Sequence, residues 1–402
     1  MEAYLLDWAN LLLRWLHVIT AIAWVGSSFY FVWLDNHLIR PKSPDLLEKG
    51  VDGALWAVHG GGFYNPQKYM VAPKKIHTEL HWFYWESYST WLSGFALFTV
   101  LYLFNASTYL IDQSVHAWSP AGAIAAALGF LAVFWLVYDG ICRAFGAGPE
   151  ADRKVGVGVT ALVVFAAWLA CQLFAGRAAF LLVGAMMATA MSANVFFWII
   201  PGQRTVVAAM TAGQASDPVH GKRGKQRSVH NTYFTLPVLA AMLSNHYGML
   251  YSHRWNWVVL VLLMLGGALI RHFFVARHKT HVKGQPAPWG WAAAGVVPLG
   301  LAIALAAPWD RLNAPAPRAD APAATFAAVQ AIVQQRCVMC HNEQVNHKGV
   351  LLHQAELLLK HAPQVHQQVV VQRLMPLNNA TGITEDERAL VGRWFTAGAR
   401  PD

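Results

Sequence analysis

The chain has 402 residues, of which 56% are hydrophobic and 13% are charged, and its formal net charge is +9. Soluble domains carry roughly a quarter charged residues, so this composition excludes an ordinary soluble protein and assigns most of the chain to a membrane. The four cysteines predict no disulfide framework. Two of them form one short motif, while Cys142 and Cys171 stand singly in apolar runs, which is typical of inert packing residues.

Eight apolar runs are long enough to cross a bilayer, which takes about 20 residues. They cover residues 9–34, 80–104, 121–142, 155–174, 178–200, 232–250, 255–270 and 289–306. The first run opens with Glu2 and Asp7 and has no small-residue cleavage site after a short apolar core, so we expect it to be retained rather than cleaved. The sequence therefore predicts an all-α, eight-helix transmembrane bundle over residues 1–306.

Lysine and arginine are distributed unevenly between the loops of this predicted bundle. The first, third, fifth and seventh loops carry 18 of them, whereas the second, fourth and sixth loops carry 2. By the positive-inside rule the first set is cytoplasmic, which places both termini outside the membrane. The same pattern explains the net charge without nucleic acid, since the basic run at 222–227 is predicted to contact anionic lipid headgroups.

The first loop contains the stretch His59-Gly60-Gly61-Gly62-Phe63-Tyr64-Asn65-Pro66-Gln67-Lys68. Glycines let the backbone approach a ligand closely, and the surrounding aromatic, amide and cationic side chains suit a flat, hydrogen-bonding anion. We therefore predict substrate-binding roles for His59, Gly61, Phe63, Asn65 and Lys68. The stretch is not a phosphate loop, because no Gly-Lys-Ser/Thr follows and no strand is predicted before it. A flexible hinge is the alternative explanation.

Ionisable residues inside predicted spans are costly, so each is a functional candidate. His17 shares a face of the first span with Arg14, and His246 lies at a similar depth in the sixth span. One imidazole from each of two helices can hold a haem b, so His17 and His246 are the predicted outer ligand pair. Hydrogen bonds to neighbouring helices explain the same two histidines equally well.

At the inner end, the second span begins with His77-Thr78-Glu79-Leu80-His81-Trp82-Phe83-Tyr84-Trp85-Glu86. Helical spacing predicts His77 and His81 on one face, with Glu86 deeper. The sixth and seventh spans add His230, Asn231, Arg271 and His272 at this end. The cluster suits a second haem b, held by His81 and His230, or a polar substrate, or both. His77 and His272 are explained more simply as side chains that reach water at the membrane boundary.

Residues 307–324 are rich in proline and alanine, which predicts a semi-extended linker rather than a fold. After this linker, Cys337-Val338-Met339-Cys340-His341 supplies two thiols and an imidazole at the spacing of a covalent c-type haem. A zinc knuckle or a redox dithiol shares the Cys-x-x-Cys spacing, but the adjoining His341 favours haem. Because c-type haem is attached outside the cytoplasm, this motif agrees with the predicted topology.

The residues that follow support a haem site. Met375 lies in a Leu-Met-Pro-Leu-Asn-Asn loop, and a thioether opposite a histidine is a usual pair of axial ligands. Thr384 and Glu387 predict a capping box at the start of a final helix. Residues 325–402 are therefore predicted to form a small, all-helical cytochrome c domain with one haem c.

Five membrane motifs accompany this cytochrome motif: Arg14-Trp15-Leu16-His17-Val18, the His59 to Phe63 loop, His81-Trp82-Phe83-Tyr84-Trp85-Glu86, Asn194-Val195-Phe196-Phe197-Trp198, and Ser228-Val229-His230-Asn231-Thr232-Tyr233-Phe234. As a set they resemble the bacterial membrane-bound urate oxidase (urate hydroxylase) family over essentially the whole chain. The resemblance implies a multi-pass inner-membrane enzyme that oxidises urate to 5-hydroxyisourate. The resemblance also implies that water supplies the oxygen and that electrons leave through haem c, without hydrogen peroxide; the expected acceptor is a soluble cytochrome c or a terminal oxidase.

If urate binds at the cytoplasmic end, its electrons must cross about 30 Å of hydrocarbon, so we expect one or two haem b groups as a relay. Lys68 and Asn231 are predicted to hold the urate anion, while Glu86, Glu79 or His81 assists proton removal. Urate binding from the periplasm, beneath the cytochrome, would need no relay. The alternative function is a membrane cytochrome that oxidises another donor, such as quinol, and reduces a soluble carrier.

Overall fold

The structure is a computed structural model that describes residues 1–69, 73, 74, 76–307, 309, 324–345 and 349–401. The described part is mainly helical, as predicted. Six of its helices are long and apolar enough to cross a membrane, namely Tyr4–His37, Pro120–Phe145, Ala151–Leu173, Gly176–Thr211, Asn256–Arg277 and Trp289–Ala306. The predicted linker lies almost wholly outside the described residues, and the domain boundaries at 306 and 325 stay predictions.

The helical bundle contains α1 (Glu2–His37), α2 (Pro44–Glu48), α3 (Trp85–Phe98), α4 (Ala106–Tyr109), α5 (Pro120–Phe145), α6 (Ala151–Leu173), α7 (Gly176–Asn194), α8 (Ile200–Thr211), α9 (Pro218–Leu243), α10 (Gly248–Tyr251), α11 (Asn256–Val282) and α12 (Trp289–Ala306). Two π-helical segments, Thr99–Leu103 and Val195–Ile199, follow α3 and join α7 to α8. The C-terminal unit contains α13 (Phe326–Arg336), α14 (Ala355–Lys360), α15 (Ala362–Val365), the π segment His366–Val371, a 3₁₀ turn at Leu377–Asn379 and α16 (Glu385–Thr396).

The second predicted span begins later than expected. Its helix starts at Trp85, so His77 and His81 lie in a non-helical segment, and the prediction that they share a helix face is wrong. Aromatic contacts hold this segment instead: Phe83 packs edge-on against Phe31 with ring centroids 5.1 Å apart. The Arg204 guanidinium also lies 5.9 Å from the centre of the Tyr84 ring. Tertiary packing of these rings therefore outweighs local helical propensity.

The sixth predicted span differs at both ends. Its helix α9 begins at Pro218, inside the predicted fifth loop, because the Asp217 carboxylate caps the Val219 N–H at 2.8 Å and a proline suits the first helical turn. The helix ends at Leu243, and a 3₁₀ turn, Ser244–His246, follows. His246 is therefore an exposed residue beyond the spanning helix, not a residue within it.

The first loop contains short strands, so the all-α prediction is wrong for this stretch. β1 (Gly53–Ala54) pairs antiparallel with β4 (Gln67–Lys68), and β2 (Ala57–His59) pairs with β3 (Gly62–Tyr64). Gly60 and Gly61 connect β2 to β3, both with positive φ. Glycine is favoured at both central positions of such a two-residue hairpin turn, so the turn itself explains the glycine-rich sequence.

Five helices of the bundle form a closed ring, in the order α1, α3, α7, α9, α11 and back to α1. Each helix packs against its two neighbours in this order, whereas helices that are not neighbours share no substantial packing within the described residues. α5 and α6 cover the outside at α7, and α12 covers α11. This five-helix ring therefore surrounds an interior that its own side chains face.

The C-terminal unit has its own hydrophobic core, built around Val329, Val333, Leu358, Val391 and Trp394. It touches the bundle through the loop that carries Met375. The Asn378 side chain donates a hydrogen bond to the Thr108 carbonyl at 2.6 Å. Leu374 lies against Gly248, where an added Cβ would be 1.9 Å from the leucine Cδ2. The loop that holds the predicted axial methionine is therefore also the contact with the bundle.

Candidate functional site

The predicted haem c motif follows α13 directly. Cys337 and Cys340 are both unpaired thiols, the first half-buried against the C-terminal core and the second exposed. Burial raises the pKa of the Cys337 thiol to about 11. The His341 Nδ1 lies 3.0 Å from the Val350 carbonyl, which orients the ring and leaves Nε2 for another partner. Histidines that bind metals usually have such a partner on their second nitrogen, so this motif fits a haem.

The predicted sixth ligand, Met375, packs against the same core. Its carbonyl accepts a hydrogen bond at 2.8 Å from Arg388, which is buried on α16 and also bonds the Val369 carbonyl. α16 thereby fixes the loop in place, and its start is secured by the predicted capping box between Thr384 and Glu387. The residues present therefore fit a haem c with His341 and Met375 as axial ligands. Those roles themselves stay predictions.

In the bundle, His17 has the geometry of a metal-binding imidazole. Its Nδ1 lies 3.1 Å from the Thr90 carbonyl and 3.2 Å from the Ser93 hydroxyl, both on α3. Gly94 makes room for the ring, because a Cβ there would lie 2.8 Å from the His17 Cε1. His246, the predicted partner, stands on the exposed 3₁₀ turn, and the structure shows no contact between the two histidines in the described residues. The pair stays a prediction.

The two residues of the inner pair, His81 and His230, have different surroundings. His81 is exposed on the segment before α3, where its ring packs edge-on against Phe83. The His230 Nδ1 lies 2.8 Å from the Tyr138 hydroxyl on α5. Glu79 is exposed beside His81 and does not belong to a helix. Within the described residues, no three His, Cys, Asp or Glu side chains converge as a site for a metal ion.

The first-loop candidates mostly have partners within the protein. The Lys68 ammonium pairs with the Asp35 carboxylate at 2.6 Å, and the Asn65 amide donates to the Leu55 carbonyl at 3.0 Å. His59 and Phe63 are exposed on the β2–β3 hairpin, to which Gly61 contributes turn geometry. Their role in substrate binding stays a prediction.

Asn231 belongs to a buried polar network. Its amide donates to the Met191 carbonyl at 3.0 Å and accepts from Asn194 at 2.9 Å. At the centre of the network, the Asp139 carboxylate pairs with the Arg227 guanidinium at 2.6 Å and accepts from the Trp198 indole at 2.8 Å. We did not single out Asp139 from the sequence, although a carboxylate inside a predicted span was a sufficient signal. Because its partners satisfy it, the network joins α5, α7 and α9.

The Glu86 Oε2 and the Arg271 Nη1 are among the buried polar atoms that have no partner in the described residues. Arg271 is fully buried on α11. Its other nitrogens bond the Thr232 carbonyl on α9 at 3.2 Å and the Ser28 hydroxyl on α1 at 3.1 Å. Buried polar groups are nearly always paired, so a guanidinium and a carboxylate with free atoms inside one ring require an explanation.

The fold and these groups define a class: a mainly helical protein with several helices long and apolar enough to cross a membrane, followed by a unit that carries a Cys-x-x-Cys-His sequence. A model of the urate oxidase N-terminal family matches residues 3–307. The chain belongs to this family, which indicates an oxidoreductase acting on urate. No curated protein and no solved structure matches the chain.

Proposed function

We propose that this protein is an inner-membrane urate oxidase that transfers electrons from urate to a haem c bound at Cys337 and Cys340. The proposal rests on one observation, that a single chain contains both the urate oxidase region and the Cys-x-x-Cys-His motif. A region of the urate oxidase N-terminal family, residues 3–307, leads into a Cys-x-x-Cys-His motif whose histidine is oriented by Val350. An oxidase that used dioxygen directly would not require such a motif.

The proposed reaction balances as urate plus water giving 5-hydroxyisourate, two protons and two electrons. Haem c, when bound, supplies a one-electron acceptor, so each urate reduces it twice. The bundle must bind the urate anion, hold the attacking water and accept protons. We assign the role of base to Glu86, because its Oε2 is buried with no partner in the described residues. Glu79 and His81 are exposed outside the helices, so they are weaker candidates.

The contact between the C-terminal unit and the bundle supports this transfer. The loop of Met375 rests on Gly248 and Thr108, so a haem c held by His341 and Met375 would have one of its two ligand loops at the bundle surface. His17, whose Nδ1 lies 3.1 Å from the Thr90 carbonyl, is the residue we favour for an intermediate haem b, with His246, His81 and His230 as the remaining candidates. One or two such groups are proposed.

We further propose eight membrane crossings, with α3 and its π segment and α9 added to the six long apolar helices. The basic loops then lie in the cytoplasm and both termini in the periplasm. The C-terminal unit, proposed as a cytochrome c domain, can there reduce a soluble cytochrome c or a terminal oxidase.

An anaerobic assay of the purified protein tests the proposal. We expect urate to reduce haem c, seen as the appearance of its α-band, and a pyridine haemochrome spectrum to show haem c with or without haem b. Reduction by a quinol and not by urate would replace the proposal with the alternative of a quinol-oxidising cytochrome. Reduction by neither donor, in protein that carries its haem, would reject both.

A further inference from the structure

We infer that Arg271 and Glu86 form the two poles of the substrate site inside the five-helix ring, with the Arg271 guanidinium binding the urate anion. The inference deepens the proposed function and rests on it for the identity of the ligand. The burial of Arg271 without a carboxylate partner in the described residues is the reason to expect an anion at this site.

Three arginines are buried in the part of the chain that the structure describes: Arg227, Arg271 and Arg388. Arg227 pairs with the Asp139 carboxylate at 2.6 Å, and Arg388 has Glu385 at 3.8 Å and two backbone carbonyls. Arg271 has no carboxylate within ion-pair distance among the described residues, although it is fully buried. A buried cation without a counter-ion is unstable in a bilayer, so an anion is expected to complete the site.

The neighbours of Arg271 aim it into the ring. The Nε is held by α9 and the Nη2 by α1, because they bond the Thr232 carbonyl and Ser28. The Phe29 ring lies under the guanidinium carbon at 3.9 Å, which offsets part of the charge on one face. The Nη1, which has no partner in the part of the chain that the structure describes, is left for a ligand.

Glu86 lies on α3, which packs against α1 as α11 does. α1 and α3 run antiparallel, since His17 meets Thr90 while Phe31 meets Phe83. Glu86 precedes Thr90 by one helical turn and is therefore within about 10 Å of Ser28 along the helix axis. Neither the Glu86 Oε2 nor the Arg271 Nη1 has a partner among the described residues, so a flat bicyclic ligand bound between them would satisfy both atoms.

The chemistry of urate matches both poles. At neutral pH urate is a planar monoanion that carries carbonyl oxygens on some edges and N–H groups on others. A guanidinium binds an anionic planar edge with directed hydrogen bonds, and a carboxylate accepts from ring N–H groups or takes a proton from water. Lys68, already paired with Asp35 in the first loop, is not needed for this recognition.

A propionate of haem b would offer Arg271 the same anionic chemistry, so the experiment must distinguish the two. We would compare wild type, Arg271→Gln, Arg271→Lys and Ser28→Ala, with Arg277→Gln as a control for an exposed arginine on the same helix. Two readouts are needed: KM and kcat for urate-dependent reduction of haem c, and haem b content by pyridine haemochrome. Binding of radiolabelled urate is measured separately by equilibrium dialysis.

Loss of a charge-assisted hydrogen bond predicts a KM for urate that is about 10- to 100-fold higher in Arg271→Gln. Haem content should be unchanged, Arg271→Lys and Ser28→Ala should have smaller effects, and Arg277→Gln should match wild type. An unchanged KM in folded Arg271→Gln overturns the inference. Loss of haem b with a normal KM also overturns it and assigns Arg271 to a propionate.

Two complications have their own controls. If Arg271→Gln does not fold, Arg271→Lys and Ser28→Ala decide the question, and wild-type KM values in both would overturn the inference. If wild type oxidises no urate, the proposed function fails. Labelled urate that binds wild type and not Arg271→Gln would then still support the site, whereas equal binding to both would reject it.

Discussion

The C-terminal unit and the bundle place their chemistry differently along the chain. In the C-terminal unit, both thiols and the imidazole lie within five consecutive residues, and folding needs only to bring up Met375. In the bundle, Glu86 and Arg271 are 185 residues apart in sequence, and the proposed site unites them only because five helices form a ring. A site formed by consecutive residues can be predicted from a sequence motif, whereas a site formed by residues from distant helices cannot.

The largest effect should come from the local motif. In a Cys337→Ala/Cys340→Ala variant we expect no covalently bound haem, because both thiols that would form thioether bonds are gone. Haem staining of a denaturing gel measures this loss. Cys171→Ala is the matched control, since Cys171 is a buried packing residue of α6 and should leave the stain intact. A stained band in the double variant would contradict the haem assignment.

The buried network of the bundle should respond next most strongly. Asp139→Asn leaves Arg227 without its counter-ion, and breaking a buried ion pair costs about 3–5 kcal/mol. We expect a large decrease in the thermal stability of the detergent-solubilised protein. Glu150→Gln breaks an exposed pair with Arg153 and should have almost no effect. Equal melting temperatures for both variants would show that the network does not join the helices.

The contact between the C-terminal unit and the bundle can be weakened by adding a single methyl group at Gly248. Gly248→Ala places a methyl group against Leu374, and overpacking of about 1–3 kcal/mol should reduce the docked population roughly tenfold. Urate-dependent reduction of haem c should slow accordingly, while direct reduction by ascorbate should not change. Gly290→Ala, where a Cβ meets open space, is the control. Slowing in both reductions would indicate damage to the haem site instead.

The capping box of α16 predicts a pH-dependent stability. Partial burial opposes ionisation of Glu387, but the Thr384 N–H and the Arg336 guanidinium outweigh it and hold the pKa of this carboxyl below its ordinary 4.5. Because the pKa of Glu387 is lower in the folded protein, its ionised carboxylate stabilises the fold when the pH is above the ordinary pKa. This stabilisation is lost as the pH falls through the pKa of the folded state. Glu387→Gln should therefore cost about 1 kcal/mol at pH 7 and almost nothing at strongly acidic pH.

Thermal unfolding of the C-terminal unit in the intact protein, followed through haem c absorbance, measures this difference. Asp386→Asn is the control, because Asp386 is an exposed carboxylate in the same first turn of α16. A stability gap between wild type and Glu387→Gln that persists unchanged at acidic pH would contradict the electrostatic explanation.

The smallest effect is expected at the first loop. Lys68→Met removes a half-exposed ion pair with Asp35, worth less than about 1 kcal/mol. If Arg271 binds the anion, the KM for urate should change by less than about twofold. An increase comparable with that of Arg271→Gln would return the substrate site to the first loop, as the sequence predicts.

The sequence predicted the long apolar helices and the capping box at Thr384, because each depends on residues close together in the chain. The cytochrome c motif is equally local, and its haem stays a prediction. It misplaced the start of α3 and the end of α9. Aromatic contacts with distant residues decide the first, and a 3₁₀ turn after Leu243 decides the second. Hairpin pairing in the first loop depends on strands of only two or three residues, which carry almost no periodic signal.

For the site, Glu86 was predicted and Arg271 was noticed only as a residue near the end of a span. For a basic residue near the end of a span, the sequence does not distinguish a side chain that reaches water from one that is buried in the bundle. Only the bonds to Ser28 and Thr232 show that Arg271 turns inward. The partners that distinguish these cases come from α1 and α9, far away in sequence.

The stoichiometry of anaerobic turnover tests the central claim most directly. Purified protein is supplied with urate and an excess of oxidised soluble cytochrome c, and the consumed urate, reduced cytochrome and hydrogen peroxide are measured. Export of electrons through haem c predicts two cytochromes reduced per urate, with no requirement for dioxygen and no peroxide. Turnover that begins only on admission of dioxygen and releases one peroxide per urate would contradict it.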